Sequence, residues 1–188
     1  MSEPVSALPG FQAHGLVDLA EAGPCGMITL RGDLGLPALA AALQRELGAA
    51  VPGQRRVVRG QRGAVAWMSP DELLLMVDYA EAPRLTSALE AVFAGAFVTV
   101  ADVSDARAVF TLTGAQVCDV LAKVCPVDFA TFQTDEIRRT RAAQVAAALI
   151  RDGDEAFTLI CFRSVAQYMA DLLATVSAPG GEVGLYAR

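Results

Sequence analysis

The chain contains the stretch Ile28-Thr29-Leu30-Arg31-Gly32, and 82 residues later it contains Phe110-Thr111-Leu112-Thr113-Gly114. Each stretch is an apolar run that ends in glycine, which is typical of a strand that leads into a turn. The same offset of 82 to 83 residues relates Ala38-Leu39-Ala40 to Val120-Leu121-Ala122 and Asp71-Glu72 to Asp154-Glu155. We therefore predict that one βαββα unit is used twice, in a pseudo-duplicated α+β domain over residues 25–188.

The first repeat is expected to span about residues 25–103. Its pattern predicts strands at 27–31, 64–68, 73–78 and 97–103, and helices at 37–47 and 82–93. Pro37 and Gly48 are a typical start and stop for the first of these helices. Residues 48–63 are expected to form a loop, which carries Arg55, Arg56, Arg59 and Arg62.

The second repeat is expected to span about residues 107–188 on the same plan. Strands are predicted at 108–112, 141–151 and 155–162, with a short last strand at 183–186. Helices are predicted at 115–124 and 165–176, and a loop at 126–134. This order is typical of a split-βαβ, or ferredoxin-like, unit.

Residues 1–24 are rich in glycine, proline and alanine and show no sustained hydrophobic period. Such a segment has no evident way to bury an apolar face. We therefore predict an extended N-terminal arm for this part of the chain.

The composition is apolar and acidic. Hydrophobic residues make up 54% and charged residues 19% of the chain, and the net charge is −6. Charged residues are nearer a quarter in an average domain, so the surface is expected to include apolar area that a partner covers. A genome bias toward alanine and arginine is an alternative explanation. The negative charge argues against nucleic acid as a ligand.

Localisation is predicted from three features. Apolar runs fall short of the roughly 20 residues that a membrane helix requires, and the first residues do not form a secretory signal. The four cysteines, Cys25, Cys118, Cys125 and Cys161, have no CxxC spacing. Together these features favour a reduced cytoplasmic protein that does not bind membranes.

Motifs for catalysis or cofactor binding are missing from the sequence. His14 is the only histidine and lies in the predicted arm, so a histidine-based nucleophile pair has no fixed base. The sequence contains no GxGxxG or GxxxxGK[ST] loop for nucleotides, and its carboxylates lack the spacing of a metal site. We expect no catalytic residue and no metal or cofactor on this chain.

A few polar and aromatic residues remain as candidates for binding. Asp102 follows an apolar strand and could orient a pterin-like ring, although a turn held by its side chain is an alternative. Arg55-Arg56 and Arg138-Arg139 fall at equivalent positions of the two repeats. Trp67 is either a core residue or an interface anchor. Arg163 could reach a partner carboxylate, while Ser164 is placed to cap the following helix.

A longer ordered set of motifs extends through much of the chain. The motifs are Trp67-Met68-Ser69-Pro70-Asp71-Glu72-Leu73-Leu74, Asp102-Val103-Ser104, Leu112-Thr113-Gly114, Leu121-Ala122-Lys123-Val124-Cys125-Pro126-Val127-Asp128-Phe129 and Arg163-Ser164-Val165-Ala166-Gln167-Tyr168-Met169. In order and spacing, over about residues 25–177, the chain resembles the gamma subunit of heterotetrameric sarcosine oxidase. Members of that family are expected to favour histidine after Asp102-Val103-Ser104, where this chain has Asp105.

The resemblance implies a fold similar to the folate-binding domain of the glycine-cleavage aminomethyltransferase. It implies a complex that demethylates sarcosine oxidatively to glycine, with hydrogen peroxide and with methylene-tetrahydrofolate or formaldehyde as products. FAD, FMN and NAD would reside on the alpha and beta subunits and zinc on the delta subunit. Tetrahydrofolate would also bind the partner subunits. The gamma subunit would carry no cofactor and no catalytic residue.

Three classes of function can be weighed against these observations. The first is a non-catalytic subunit with a role in assembly, whose interface candidates are Trp67, Arg56, Arg139 and Arg163, and which forms a homodimer when isolated. The second is a stand-alone folate-binding protein, with Asp102 for the pterin and Arg55 or Arg138 for the glutamate tail. An independent enzyme is a third class, and no nucleophile–base pair supports it.

Overall fold

A computed structural model describes residues 4–186 of the chain. The chain divides into two compact units. Unit 1 is Cys25–Asp105, and unit 2 is formed by the described residues on either side of it. Each unit holds one antiparallel sheet and two α-helices. The predicted α+β fold with two similar halves is therefore confirmed.

Residues 4–186 form eleven strands and four α-helices. In chain order they are β1 (Gln12–His14), β2 (Asp18–Glu21), β3 (Gly26–Arg31), α1 (Pro37–Leu47), β4 (Val57–Gly60), β5 (Gly63–Ser69), β6 (Glu72–Val77), α2 (Ala82–Val92), β7 (Thr99–Asp102), β8 (Arg107–Thr113), α3 (Val117–Ala122), β9 (Ile137–Ala142), β10 (Val145–Gly153), β11 (Ala156–Phe162) and α4 (Ala166–Val176).

Unit 1 is a five-stranded sheet in the order β4-β5-β6-β3-β7. Alternate side chains of a strand point to the same face. Ile28 and Leu30 of β3 and Leu73 and Leu75 of β6 therefore share a face, and all four are buried in one core. Leu43 and other apolar residues of α1 and α2 complete this core. The helices thus cover one face of the sheet.

Unit 2 is a six-stranded sheet in the order β1-β2-β8-β11-β10-β9. Its core contains alternate residues of β8 and β11 and the apolar side of α4. Three phenylalanines extend the core, since the Phe157 ring meets Phe129 and Phe132 edge to face, with centroids 5.8 and 5.5 Å apart. This edge-to-face geometry is favourable for aromatic pairs.

The segment before unit 1 differs from the predicted extended arm. It contains β1 and β2, and β2 pairs with β8 from Asp18↔Thr113 to Glu21↔Phe110. Val17 and Leu19 are buried in the core of unit 2. Strands of three and four residues are too short to show a hydrophobic period, so the sequence pattern did not reveal them.

Three sequence-based expectations about strands were wrong. The predicted loop at 48–63 contains β4, and the predicted strand at 141–151 is divided between β9 and β10. Both hairpins turn at two residues, Gln61-Arg62 and Ala143-Gln144, which lack the Asn-Gly or Asp-Gly signal of such turns. Residues 183–186 do not form the predicted strand.

No helix within residues 4–186 has the length and apolar character needed to cross a membrane.

The position of Leu19 in the core leads to a test by mutation. Leu19 is 2% exposed, so Leu19→Ala should lower the free energy of unfolding by about 2–5 kcal/mol through lost burial and a residual cavity. The matched control is Leu185→Ala, because Leu185 is 66% exposed and its truncation should have little effect. Chemical denaturation of the purified chain measures both. Equal stability of the two variants would show that the N-terminal segment does not belong to the core.

The end of α1 supplies a second test. Gly48 adopts a left-handed conformation with φ of 68°, and its N–H donates to the Gln44 carbonyl at 3.0 Å. A side chain is unfavourable in this conformation, so Gly48→Ala should cost about 1–2 kcal/mol of stability. Gly53→Ala is the control, because a Cβ there meets nothing within 4 Å. A thermal melt should place Gly48→Ala below Gly53→Ala, and the reverse order would contradict the cap.

Candidate functional site

A cavity of about 780 Å³ lies in unit 1. Its wall includes the β4–β5 turn, the end of β6 and the start of α2. Glu46 accepts a hydrogen bond from Arg45 Nε at 2.8 Å and one from Arg84 Nη1 at 3.1 Å. These hydrogen bonds lower the pKa of the Glu46 carboxyl, with Arg45 making the largest contribution. The carboxylate is therefore held ionised by its neighbours and is a poor general acid.

A second cavity, of about 560 Å³, lies in unit 2. Arg151 lines it and is itself buried. The guanidinium donates to the carbonyl oxygens of Phe132, Gly153 and Asp154, the last two at 3.1 and 3.3 Å. Arg151 thus satisfies main-chain acceptors in the loop before β9 and at the turn after β10, which is a structural role.

The buried cysteines are unsuited to nucleophilic chemistry. Burial raises the pKa of the Cys125 thiol to about 12 and that of Cys161 to about 11, although Arg107 opposes the shift at Cys161. Burial, with a smaller contribution from Asp78, also raises the pKa of Cys25. Only a thiolate is an effective nucleophile. At neutral pH these three groups are protonated thiols.

Asp102 ends β7 and holds a turn. Its Oδ1 accepts hydrogen bonds from the Ser104 N–H, at 3.0 Å, and from the Ser104 hydroxyl. Ser104 Oγ in turn accepts from the Met27 N–H at 2.9 Å. This is the Asx-type turn that the sequence offered as the alternative to a pterin contact. Asp105, where the resemblance favours histidine, accepts a hydrogen bond from the Tyr79 hydroxyl at 3.0 Å.

The paired arginines differ between the two units. Arg55 is an exposed residue with φ of 59° in the loop before β4, and Arg56 follows it, also exposed. Arg138 lies in β9, where Nη2 donates to Glu136 Oε2 at 2.8 Å and the guanidinium lies 5.1 Å from the Phe132 ring centroid. Arg139 is exposed on the same strand. Neither of the two cavities is lined by Asp102, Arg55 or Arg138.

The two remaining interface candidates have contacts within their own units. Trp67 is half-buried, pairs with Leu73 across β5 and β6, and packs against the core of unit 1. Arg163 Nη2 donates to the carbonyl oxygens of Val5 and Ser6 at 2.7 and 3.0 Å. Arg163 therefore holds the N-terminal segment against the rest of unit 2.

Metal ligands are not grouped in the part of the chain that the structure describes. Within residues 4–186, no three His, Cys, Asp or Glu side chains are placed to bind one ion. His14 Nδ1 and Asp18 Oδ1 lie 2.7 Å apart, and both side chains are exposed.

Sequence reasoning missed a set of exposed aromatic residues. Phe97, Phe162 and Tyr168 are large and solvent-exposed, and Phe97 is fully so. The exposure of Phe162 could have been predicted from the alternation of residues in β11, where Phe157, Leu159 and Cys161 point to the core. Phe162 therefore falls on the opposite face, at the end of the strand.

Solved structures with similar folds include an oxidase, an aminomethyltransferase and a regulatory subunit of aspartate kinase. Heterotetrameric sarcosine oxidase from Corynebacterium sp. U-96, in complex with pyrrole 2-carboxylate, matches with 27% identity and a TM-score of 0.78, over 88% of this chain and 87% of that chain. Glycine cleavage system aminomethyltransferase T from Bartonella henselae matches with 16% identity and a TM-score of 0.64. This match covers 86% of the present chain and 46% of the aminomethyltransferase, and it confirms the predicted similarity of fold.

The regulatory subunit of aspartate kinase from Thermus thermophilus, in its ligand-free form, also matches. It has 15% identity and a TM-score of 0.50, with 84% of this chain and 96% of that chain covered. At this identity the likeness concerns the fold alone. A search of curated protein sequences gave no significant match.

The family assignment comes from the sequence itself. Residues 31–179 match the model of a protein family described as the sarcosine oxidase, gamma subunit family. This range includes most of unit 1 and nearly all of unit 2 after Asp105. It also contains the whole ordered set of motifs that resembles the gamma subunit. The chain belongs to the sarcosine oxidase gamma subunit family.

Proposed function

We propose that this chain is a non-catalytic gamma subunit of a heterotetrameric sarcosine oxidase and that its role is in assembly. The observation that carries the proposal is the match to heterotetrameric sarcosine oxidase, which spans 88% of this chain and 87% of that chain. The family match over residues 31–179 supports it independently. The partners would be larger alpha and beta subunits and a small delta subunit.

The non-catalytic role is supported by the state of three ionisable side chains. The Cys125 and Cys161 thiols have pKa values raised to about 12 and 11, and Glu46 is ion-paired to two arginines. A general acid or base works best with a pKa near the operating pH, and a nucleophile needs an activating partner. These three side chains meet neither condition.

The reaction proposed for the whole complex is an oxidative demethylation. Sarcosine would lose its N-methyl group to give glycine and hydrogen peroxide. The one-carbon unit would leave as methylene-tetrahydrofolate when tetrahydrofolate is present and as formaldehyde otherwise. The flavins would supply the redox chemistry, with dioxygen as the final electron acceptor. FAD, FMN and NAD would be bound by the alpha and beta subunits and zinc by the delta subunit. The complex would be cytoplasmic, which the free cysteines favour.

Purification of the complex tests this proposal. The chain carries a C-terminal affinity tag in its native host and is isolated under gentle conditions. We expect larger subunits at fixed stoichiometry, a flavin absorbance spectrum, and hydrogen peroxide release that depends on sarcosine. The matched control is the same host with an untagged chain, which should yield none of these. A colourless tagged chain without partners would contradict the proposed function.

The isolated chain provides a separate test of folate binding. The Asp102 carboxylate is engaged by Ser104, and Arg138 is paired with Glu136. We therefore expect tetrahydrofolate not to bind the chain on its own in a calorimetric titration. Saturable binding that is lost in Asp102→Asn would instead favour a stand-alone folate-binding protein.

Light scattering on the same sample tests the expected homodimer of the isolated chain.

A further inference from the structure

One end of the sheet in unit 2 exposes an aromatic ring beside a cation. Phe162, the last residue of β11, pairs in register with Arg107, the first residue of β8. Directly opposed residues of antiparallel strands project from the same face. The Arg107 guanidinium carbon accordingly lies 4.3 Å from the centroid of the Phe162 ring. Although Arg107 stacks on it, Phe162 remains 47% exposed.

The N-terminal segment is tied to the residue that follows Phe162. Arg163 follows Phe162 and donates hydrogen bonds to the main-chain carbonyls of Val5 and Ser6. These bonds hold Val5 near the end of β11, and its side chain is 58% exposed. We call Val5, Arg107, Phe162 and Arg163 the Phe162 patch. It combines two exposed apolar side chains with two guanidinium groups.

The chemistry of the patch is that of an interface anchor. Aromatic residues and arginine are enriched in protein interfaces and carry much of their binding energy. The Phe162 ring is already positioned by the Arg107 stack, and Val5 is already positioned by Arg163. Little conformational freedom is therefore lost when a partner covers them, which favours affinity.

We propose that the Phe162 patch docks a larger subunit of the heterotetramer, and this inference rests on the proposed function. The partner surface would be an apolar pocket for the Phe162 ring with carboxylates at its border. Carboxylates are expected there because the two guanidinium groups give this part of the surface a positive charge, and interfaces are complementary in charge. A second copy of this chain is a poorer occupant, because two copies would bring like cations together.

The test compares the same substitution at two exposed phenylalanines. Native-host strains produce the tagged chain as wild type, Phe162→Ser, Phe162→Tyr or Phe97→Ser. Larger subunits and flavin are measured per mole of tagged chain after washing at increasing salt. We expect Phe162→Ser to retain at least about tenfold less flavoprotein, as is typical for loss of a central anchor. Phe162→Tyr should retain the wild-type amount of flavoprotein because it keeps the ring. Phe97→Ser should also retain it because Phe97 lies in unit 1, outside the Phe162 patch.

Each result decides the matter. Wild-type yield from a folded Phe162→Ser chain, or an equal loss in Phe97→Ser, overturns the assignment of the interface to this patch while the proposed function stands. A tagged wild-type chain that brings no larger subunits overturns both. If Phe162→Ser does not fold by circular dichroism, Val5→Ser decides, because Val5 lies outside the strands. That variant should retain about threefold less flavoprotein, and unchanged retention would overturn the inference.

Discussion

The alternation of apolar side chains along two central strands is the constraint on which each unit depends. Ile28 and Leu30 in β3, and Phe110 and Leu112 in β8, are all essentially inaccessible to water. Each contributes on the order of 1.5–3 kcal/mol by burial, and a shift of one residue in register would turn them all to the opposite face. The two units use the same spacing of residues to satisfy this constraint, which explains why the duplication is legible in the sequence.

Much of the fold could be predicted because it depends on local signals. The helix expected at 37–47 is present as Pro37–Leu47, since a proline start and a glycine stop act within the helix itself. The edge strands β4 and β9 were harder to predict. β4 has only four residues, and three of the six residues of β9 are arginines. The hairpin turn after β9 also begins with an unusual residue, Ala143, which has φ of 50°. These two strands are instead stabilised by hydrogen bonding to β5 and β10, their neighbours in the sheets, which a local sequence pattern does not show.

The candidate site was less predictable, because its geometry depends on distant residues. The Asx-type turn at Asp102 could be anticipated, since Ser104 is two residues away. The contact of Arg163 with Val5 joins residues 158 apart in sequence, and the stack of Arg107 on Phe162 depends on the register of β8 with β11. Rules based on the spacing of residues in the sequence cannot predict contacts between positions so far apart. The predicted roles of Arg55, Arg56, Arg139 and Trp67 remain predictions.

The chain order of unit 2 has a consequence for biosynthesis. Unit 1 is one continuous segment, Cys25–Asp105, inserted between β2 and β8. Asp18 and its partner Thr113 are 95 residues apart, so β2 leaves the ribosome long before the strand it pairs with. Non-local pairing of this kind is slow to form, and an unpaired apolar strand is prone to aggregation. We infer that unit 1 folds first during translation. Val17 and Leu19 stay exposed to solvent until the residues after Asp105 are synthesised and complete the core of unit 2.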